Sequence, residues 1–276
     1  LSASFHGPHL VHAPMEPPAL SFPGSLRDLG PQVCRFVLVL ALSGGALAAD
    51  DRPEPEGGER GEKRRVGERL SPDQWNRLDS AVDRGLKYLA TCQQSDGSYK
   101  SHAYGQPAVT SFCVMAYLSR GHLPNEGPYG EQIARAVEFV LSKQQANGFL
   151  FAEETQSHLG NIVGSYNHAI AGVMLCEVFG MARPKQQKEI RAAVEKALKL
   201  SRSEQTKPKS TQNEGGWRYV IGDLSTDLSV TAWHLMFYRS ARNAEFDVPE
   251  EHMHEALAYV ERCYEPVRGT FSYGLQ

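Results

Sequence analysis

The chain has 276 residues, 41% of them hydrophobic and 22% charged, with a formal net charge of −3. That length and apolar share fit one sizeable buried core. The acidic balance argues against a nucleic-acid surface, which is normally basic.

Taken from the N-terminus, the first apolar run is Phe36–Leu42, directly after Arg35. It ends in small residues, and Ala46-Leu47-Ala48 fits a small-x-small cleavage site. The run is too short to cross a bilayer and reads as a signal peptide over residues 33–48, the alternative being a buried apolar segment. Residues 1–32 then read as an upstream extension, and their His6, His9 and His12 carry no expected role. This organisation predicts an exported protein, periplasmic or extracellular, with no transmembrane span in its mature form. Residues 49–70 are rich in Glu, Arg, Gly and Pro and read as a disordered, charged linker. Ser71-Pro72 has the form of an N-cap followed by a proline at the first helical position, so the folded domain is expected over 71–276.

Within that domain, four amphipathic stretches each run into a Gly-containing turn. They open at Ala81, Ala136, Ala193 and Ala256, at spacings of 55, 57 and 63 residues. A near-constant period of this size signals repeats whose units cannot bury their apolar faces alone. In the third stretch Val194, Ala197 and Leu198 share one face, with Glu195, Lys196 and Lys199 beside them. Such a helix buries one stripe and wets the other. Three further segments, Thr110–Leu118, His168–Phe179 and Val230–Tyr238, are apolar nearly all round and are expected to be enclosed helices. Sustained period-two alternation is missing, so strands are not expected. The resulting fold class is all-α: about four helical hairpins with enclosed helices inside and amphipathic helices outside, as a partial or open ring. The fourth unit lacks its enclosed helix, which leaves two readings: a fragment, or an open ring whose end another surface covers.

Five cysteines occur, with no Cys-x-x-Cys pair. Cys113 and Cys176 fall in the enclosed segments and are expected to be core thiols. The spacing offers no clustered metal ligands, so neither a metal nor a cofactor is expected.

The Gln pairs (Gln93-Gln94 and Gln144-Gln145), followed by Asp96-Gly97 or Gly215-Gly216-Trp217, resemble the prenyltransferase and squalene-cyclase repeat, whose members form α/α toroids. Two further stretches resemble a narrower group of secreted repeat proteins abundant in planctomycetes, a group with no settled activity. These are Tyr166–Ala171 and Gly215–Tyr219 followed by Asp227–Trp233. The resemblance implies tests that can be made residue by residue. Zinc prenyltransferases use an Asp-x-Cys pair, and the matching turn Asp227-Leu228-Ser229 has a hydroxyl where the thiolate belongs. Neighbouring His234 falls inside a helical stretch without an evident partner. Squalene–hopene cyclases use Asp-x-Asp-Asp-Thr-Ala. Aligned on Thr231-Ala232, Asp227 matches the first Asp, but Ser229 stands at the proton donor and Val230 at the last carboxylate. Serine is far too weak an acid to protonate an alkene. The Cys-Gly-Glu-Gln segment of complement-type thioester domains does not occur in the chain.

The candidate recognition residues are therefore Tyr166, His168, Trp217, Arg218, Tyr219, Asp227 and Ser229, with no catalytic group assigned. They are expected near the starts of enclosed helices, at one mouth of the ring, where helix N-termini favour anions. Each carries a bland alternative. Asp227 reads equally as an N-cap, His168 as a core donor to a backbone carbonyl, Trp217 as an anchor between repeats, and Arg218 as a helix C-cap. The expected function is a binding or interaction module for a small molecule, lipid or protein. The alternatives are an enzyme acting on an isoprenoid or other lipid through a non-standard site, and a structural partner completed by another chain.

Overall fold

A computed structural model of the chain describes residues 70–152 and 158–275. The expected extension (1–32), signal peptide (33–48) and all but the last residue of the linker lie outside the described residues. Among the described residues, seven α-helices make the protein predominantly helical: α1 (Pro72–Cys92), α2 (Ala108–Ser119), α3 (Gly130–Ser142), α4 (His158–Val178), α5 (Pro184–Gln205), α6 (Leu228–Asn243) and α7 (Glu250–Arg262). Two-residue strands β1 (Tyr264–Glu265) and β2 (Thr270–Phe271) pair antiparallel after α7.

The helix starts follow local chemistry. At α1 the Ser71 hydroxyl accepts from the Gln74 N–H while the Gln74 side chain accepts from the Ser71 N–H, with Pro72 at the first position. This reciprocal pair satisfies two donors that a helix start otherwise leaves unpaired. Asp227 caps α6 from one side only, its carboxylate accepting from the Val230 N–H.

Helix α4 lies between α2 and α6, with α3 packed on α2 and α5, and α7 on α6. The expected contrast between wet and enclosed helices holds for the first pair. In α1 Leu86 alone is buried, whereas eight residues of α2 are. Helix α4 has the hydropathy and length of a membrane span over Ile162–Met181, but 72% of that window is buried against the rest of the protein. A glycine helps to enclose it, since a Cβ on Gly172 would stand 2.7 Å from the Phe237 ring of α6. Phe112 of α2 and Trp233 of α6 also meet directly, edge to face, with centroids 5.6 Å apart. Cys113, Cys176 and Cys263 are buried free thiols, and burial pushes the Cys113 thiol up to about 12.

Three turns are built alike. The Gln93 amide donates to the Gly97 and Gln132 carbonyls (3.0 and 2.7 Å), and Gln144 to those of Gly148 and Ala193 (3.1 and 2.8 Å). Gln205 donates to Gly215 and His252 (3.3 and 2.7 Å). In each, the glycine has positive φ (+90°, +95° and +81°) and abuts a carbonyl on the following amphipathic helix. A Cβ would lie 2.3, 2.5 and 2.1 Å from Arg135, Lys196 and Glu255 O. Two residues past each glycine, a backbone N–H donates into an enclosed helix: Tyr99 to Thr110 Oγ1, Leu150 to His168 Nδ1, and Trp217 to Thr231 Oγ1.

Two expectations need correction. The second enclosed helix opens at His158, ten residues before the expected His168. Its first two turns contain Gly160, Asn161, Gly164 and Ser165, which read as loop. Gly164, however, sits inside the helix with little room for a side chain, since its Cβ would stand 3.0 Å from the Phe149 ring. Tyr166 and His168 thus sit mid-helix, and the helix-terminus argument for anions does not apply to them.

Candidate functional site

Asp227 is the centre from which the site builds. It is fully buried at the N-cap of α6. Its Oδ1 accepts from the Val230 N–H at 3.0 Å and from the Ser229 hydroxyl at 2.6 Å. Its Oδ2 faces the Arg218 guanidinium at 3.4 Å. A buried carboxylate is tolerated only when paired and hydrogen-bonded, and every one of these contacts serves that end. The anion favoured at this helix start is therefore the chain's own side chain.

Ser229 gives its one hydroxyl proton to Asp227, so the Tyr166 hydroxyl donates to Ser229 Oγ, at 2.5 Å. Burial pushes the Tyr166 phenol up to about 12; Ser229 and Arg218 oppose the rise, while Asp227 and Tyr273 add to it. The phenol thus keeps its proton at neutral pH, as the relay Tyr166→Ser229→Asp227 requires. Arg218 lies over the Tyr219 ring, 4.4 Å from its centroid, and the Tyr219 and Tyr166 rings are 5.8 Å apart. The Tyr219 carbonyl accepts from the Ser165 N–H and the Tyr273 carbonyl from the Leu228 N–H, which ties the turn to α4 and the C-terminal segment to α6.

Five of the seven candidates, Tyr166, Arg218, Tyr219, Asp227 and Ser229, thus form one half-buried cluster around Asp227. The other two lie in the core. Trp217 is 2% exposed, stacked on His234 with centroids 4.6 Å apart, and its Nε1 donates to the Ser201 carbonyl. His168 is fully buried. Its Nδ1 takes the Leu150 N–H, which is only a donor, so the ring's own proton sits on Nε2, facing Ser201 Oγ at 3.0 Å. The Ala197 carbonyl is also a partner of this ring. From Ser201 the contacts continue to His234 Nδ1 (3.3 Å) and from His234 Nε2 to Ser165 Oγ (3.0 Å). Burial depresses both histidines, His168 to about 4, so both are neutral at pH 7.

Sequence reasoning missed Ser165, Ser201 and the partners of His234, because these contacts span 33 to 69 residues. It also missed Gln205 as the third of the glutamine series. Ten residues separate it from Gly215, where four separate the other pairs, and it stands without a second Gln. Its signal was its place just before the Lys-rich turn. There Lys209 Nζ donates to the Glu204, Gln205 and Gly216 carbonyls, closing the end of α5.

Chemically, the cluster offers no free carboxyl proton donor, since Asp227 is committed on both oxygens. Among the described residues, no three His, Cys, Asp or Glu side chains gather where they would hold a metal ion. A groove of about 540 Å³ runs between Arg191–Arg202 of α5 and Glu245–Asp247, and none of the cluster's residues lines it. A scan of protein-family models finds no match to this chain, nor does a comparison with curated proteins.

Proposed function

We propose that the chain is an exported repeat protein of the α/α-toroid type, resembling the prenyltransferase and squalene-cyclase repeat, and that it works as a binding module. The recognition surface is the cluster of Tyr166, Arg218, Tyr219 and Ser229 over Asp227. One observation carries the binding reading: the buried Asp227 spends both oxygens on its own helix, Ser229 and Arg218. The cluster is thereby rigid and charge-balanced, and it lacks the acid that cyclisation needs. What remains accessible is a guanidinium on a tyrosine face, with a second tyrosine beside it. This suits a ligand with a hydrogen-bond acceptor and a flat or apolar face. The toroid reading is supported by the three like-built turns, and export by the run Phe36–Leu42 with Ala46-Leu47-Ala48.

The test is to purify the full chain from an exporting bacterial host and identify co-purifying compounds by mass spectrometry. Tyr219→Ala, with its melting curve checked, is purified in parallel. A compound enriched with wild type and lost from the variant is the expected result. Recovery of the same compounds from both proteins overturns the assignment of this surface. Turnover of an added isoprenoid overturns the non-catalytic reading.

A further inference from the structure

Behind the cluster around Asp227 runs a buried chain of polar side chains. Ser165, His168, Ser201 and His234 are each at most 1% exposed. Burial holds both histidines neutral at pH 7, so each ring carries one N–H and one bare nitrogen. That gives the chain a direction. The Leu150 N–H points into His168 Nδ1 at 3.2 Å, which leaves the His168 proton on Nε2, facing Ser201 Oγ at 3.0 Å. Ser201 accepts there and turns its own hydroxyl proton to His234 Nδ1 at 3.3 Å. The His234 proton therefore sits on Nε2 and is donated to Ser165 Oγ at 3.0 Å.

His234 thus touches the sequence neighbours of the cluster residues. Ser165 immediately precedes Tyr166 on α4, and its N–H also donates to the Tyr219 carbonyl. Trp217 immediately precedes Arg218 and Tyr219, and its ring stacks on the His234 ring at 4.6 Å with 6° between the planes. The Trp217 Nε1 donates to the carbonyl of Ser201, whose hydroxyl holds His234 Nδ1. His234 itself belongs to α6, the helix that carries Ser229 and is capped by Asp227. The three segments that supply the cluster therefore meet at one imidazole. Each uses a different part of the ring or its backbone. A recognition group is only as well aimed as the residues packed and hydrogen-bonded behind it.

We infer that His234 is the positioning residue of the recognition cluster: its Nε2–H holds Ser165 and so aims Tyr166 at Ser229, while its ring face holds Trp217 and so places Arg218 and Tyr219. An imidazole suits this place because it combines a flat face, a donor and an acceptor in one rigid ring. A ring that only filled the core could be exchanged for another of similar size without effect on Tyr166. The inference rests on the reading of this cluster as the recognition surface, but its test uses no ligand, so either can fail without the other.

The test is NMR of the full chain at neutral pH with isotope-labelled histidine and tyrosine. The Tyr166 ring resonance, identified by its loss in Tyr166→Phe, reports the hydrogen bond of its phenol. His168 and His234 should both show the Nε2–H tautomer. Ser165→Ala and His234→Phe should each move the Tyr166 resonance toward that of the exposed Tyr88, while Tyr117, buried in α2, keeps its own. His234→Gln, whose amide can supply an N–H in place of Nε2–H, should keep Tyr166 closer to its wild-type position than His234→Phe does. Ser165→Ala removes a single oxygen, so the test stands even where His234→Phe does not fold. An Nδ1–H tautomer at His234 overturns the inference, as does an unmoved Tyr166 in Ser165→Ala. So does a His234→Gln variant that behaves as His234→Phe, or a shift that Tyr117 shares, which would mark a general loosening of the core.

Discussion

Trp217 shows what a single residue carries here: its ring stacks on a buried histidine, and its Nε1 donates to the Ser201 carbonyl. Trp217→Ala should cost about 3–5 kcal/mol, the usual range for emptying an aromatic site in a core. Thermal denaturation should show a large fall in midpoint, and an unchanged midpoint would move Trp217 to the recognition surface. Asp227 is more than a cap. Asp227→Ala removes the α6 cap, worth about 0.5–2 kcal/mol, and also strips Ser229 and Arg218 of an acceptor. Asp227→Asn keeps an oxygen for the Val230 N–H and should be the milder change. Equal melting of the two variants would show that the cap contributes little. The buried histidines set a pH dependence. Both are depressed below the ordinary value of about 6.5, so between there and about pH 4 the unfolded chain binds more protons than the folded one. Stability is then full above about pH 6.5 and falls with acidification, by about 1.4 kcal/mol per pH unit for each histidine. Melting midpoints measured from neutral to acid pH should decline over that window. A flat profile would mean that the His168–Ser201–His234 chain accepts a proton without breaking.

At the scale of elements, the glycine turns decide how neighbouring helices approach. Gly148 combines a left-handed backbone (φ +95°) with a backbone carbonyl 2.5 Å from where a Cβ would stand. Gly148→Ala should therefore destabilise by more than about 1 kcal/mol, the bound for a substitution its backbone does not suit. Gly269→Ala, with a left-handed backbone but open space around it, should cost less. Equal losses at both sites would show that backbone strain, rather than the close approach of the next helix, makes the glycine necessary. The turns were legible as Gly-containing breaks between amphipathic stretches. Of the glutamine amides that bridge each turn to the following helix, Gln93 and Gln144 were legible only as a pair motif and Gln205 not at all, since their acceptors lie 39 to 49 residues away. The early start of α4 was illegible because Gly164 sits close against the Phe149 ring, and a glycine placed for space looks in sequence like a glycine placed for a turn.

For the molecule as a whole, the commitment of Asp227 predicts that the purified protein makes no cyclised product from squalene, as gas chromatography would show. Cyclised products lost on Asp227→Asn would identify Asp227 as an acid and reverse that reading. The proposed export predicts that protein recovered from its native host begins at Ala49. N-terminal sequencing that finds Phe36–Leu47 retained in a cytoplasmic fraction would overturn it.

The sequence by itself determined the all-helical class and the alternation of wet and enclosed helices in the first pair. It also determined the Ser71 and Asp227 caps and the departure of Ser229 and Val230 from the cyclase acid motif. These are local properties: periodicity reports which face of a helix leaves water, and a cap acts within three residues of itself. Only the tertiary structure decided which polar groups meet. Tyr166 and Ser229 are 63 residues apart in the chain, and Ser165 and His234 are 69. Their pairing depends on how α4 packs against α6, where the bare Gly172 lets the Phe237 ring come close. The same packing sent His168 and Trp217 into the core and left the other five candidates around Asp227. Residue type alone does not distinguish these fates, because a histidine or tryptophan suits a buried network and a binding surface equally well, and only the neighbouring helices decide whether water reaches it.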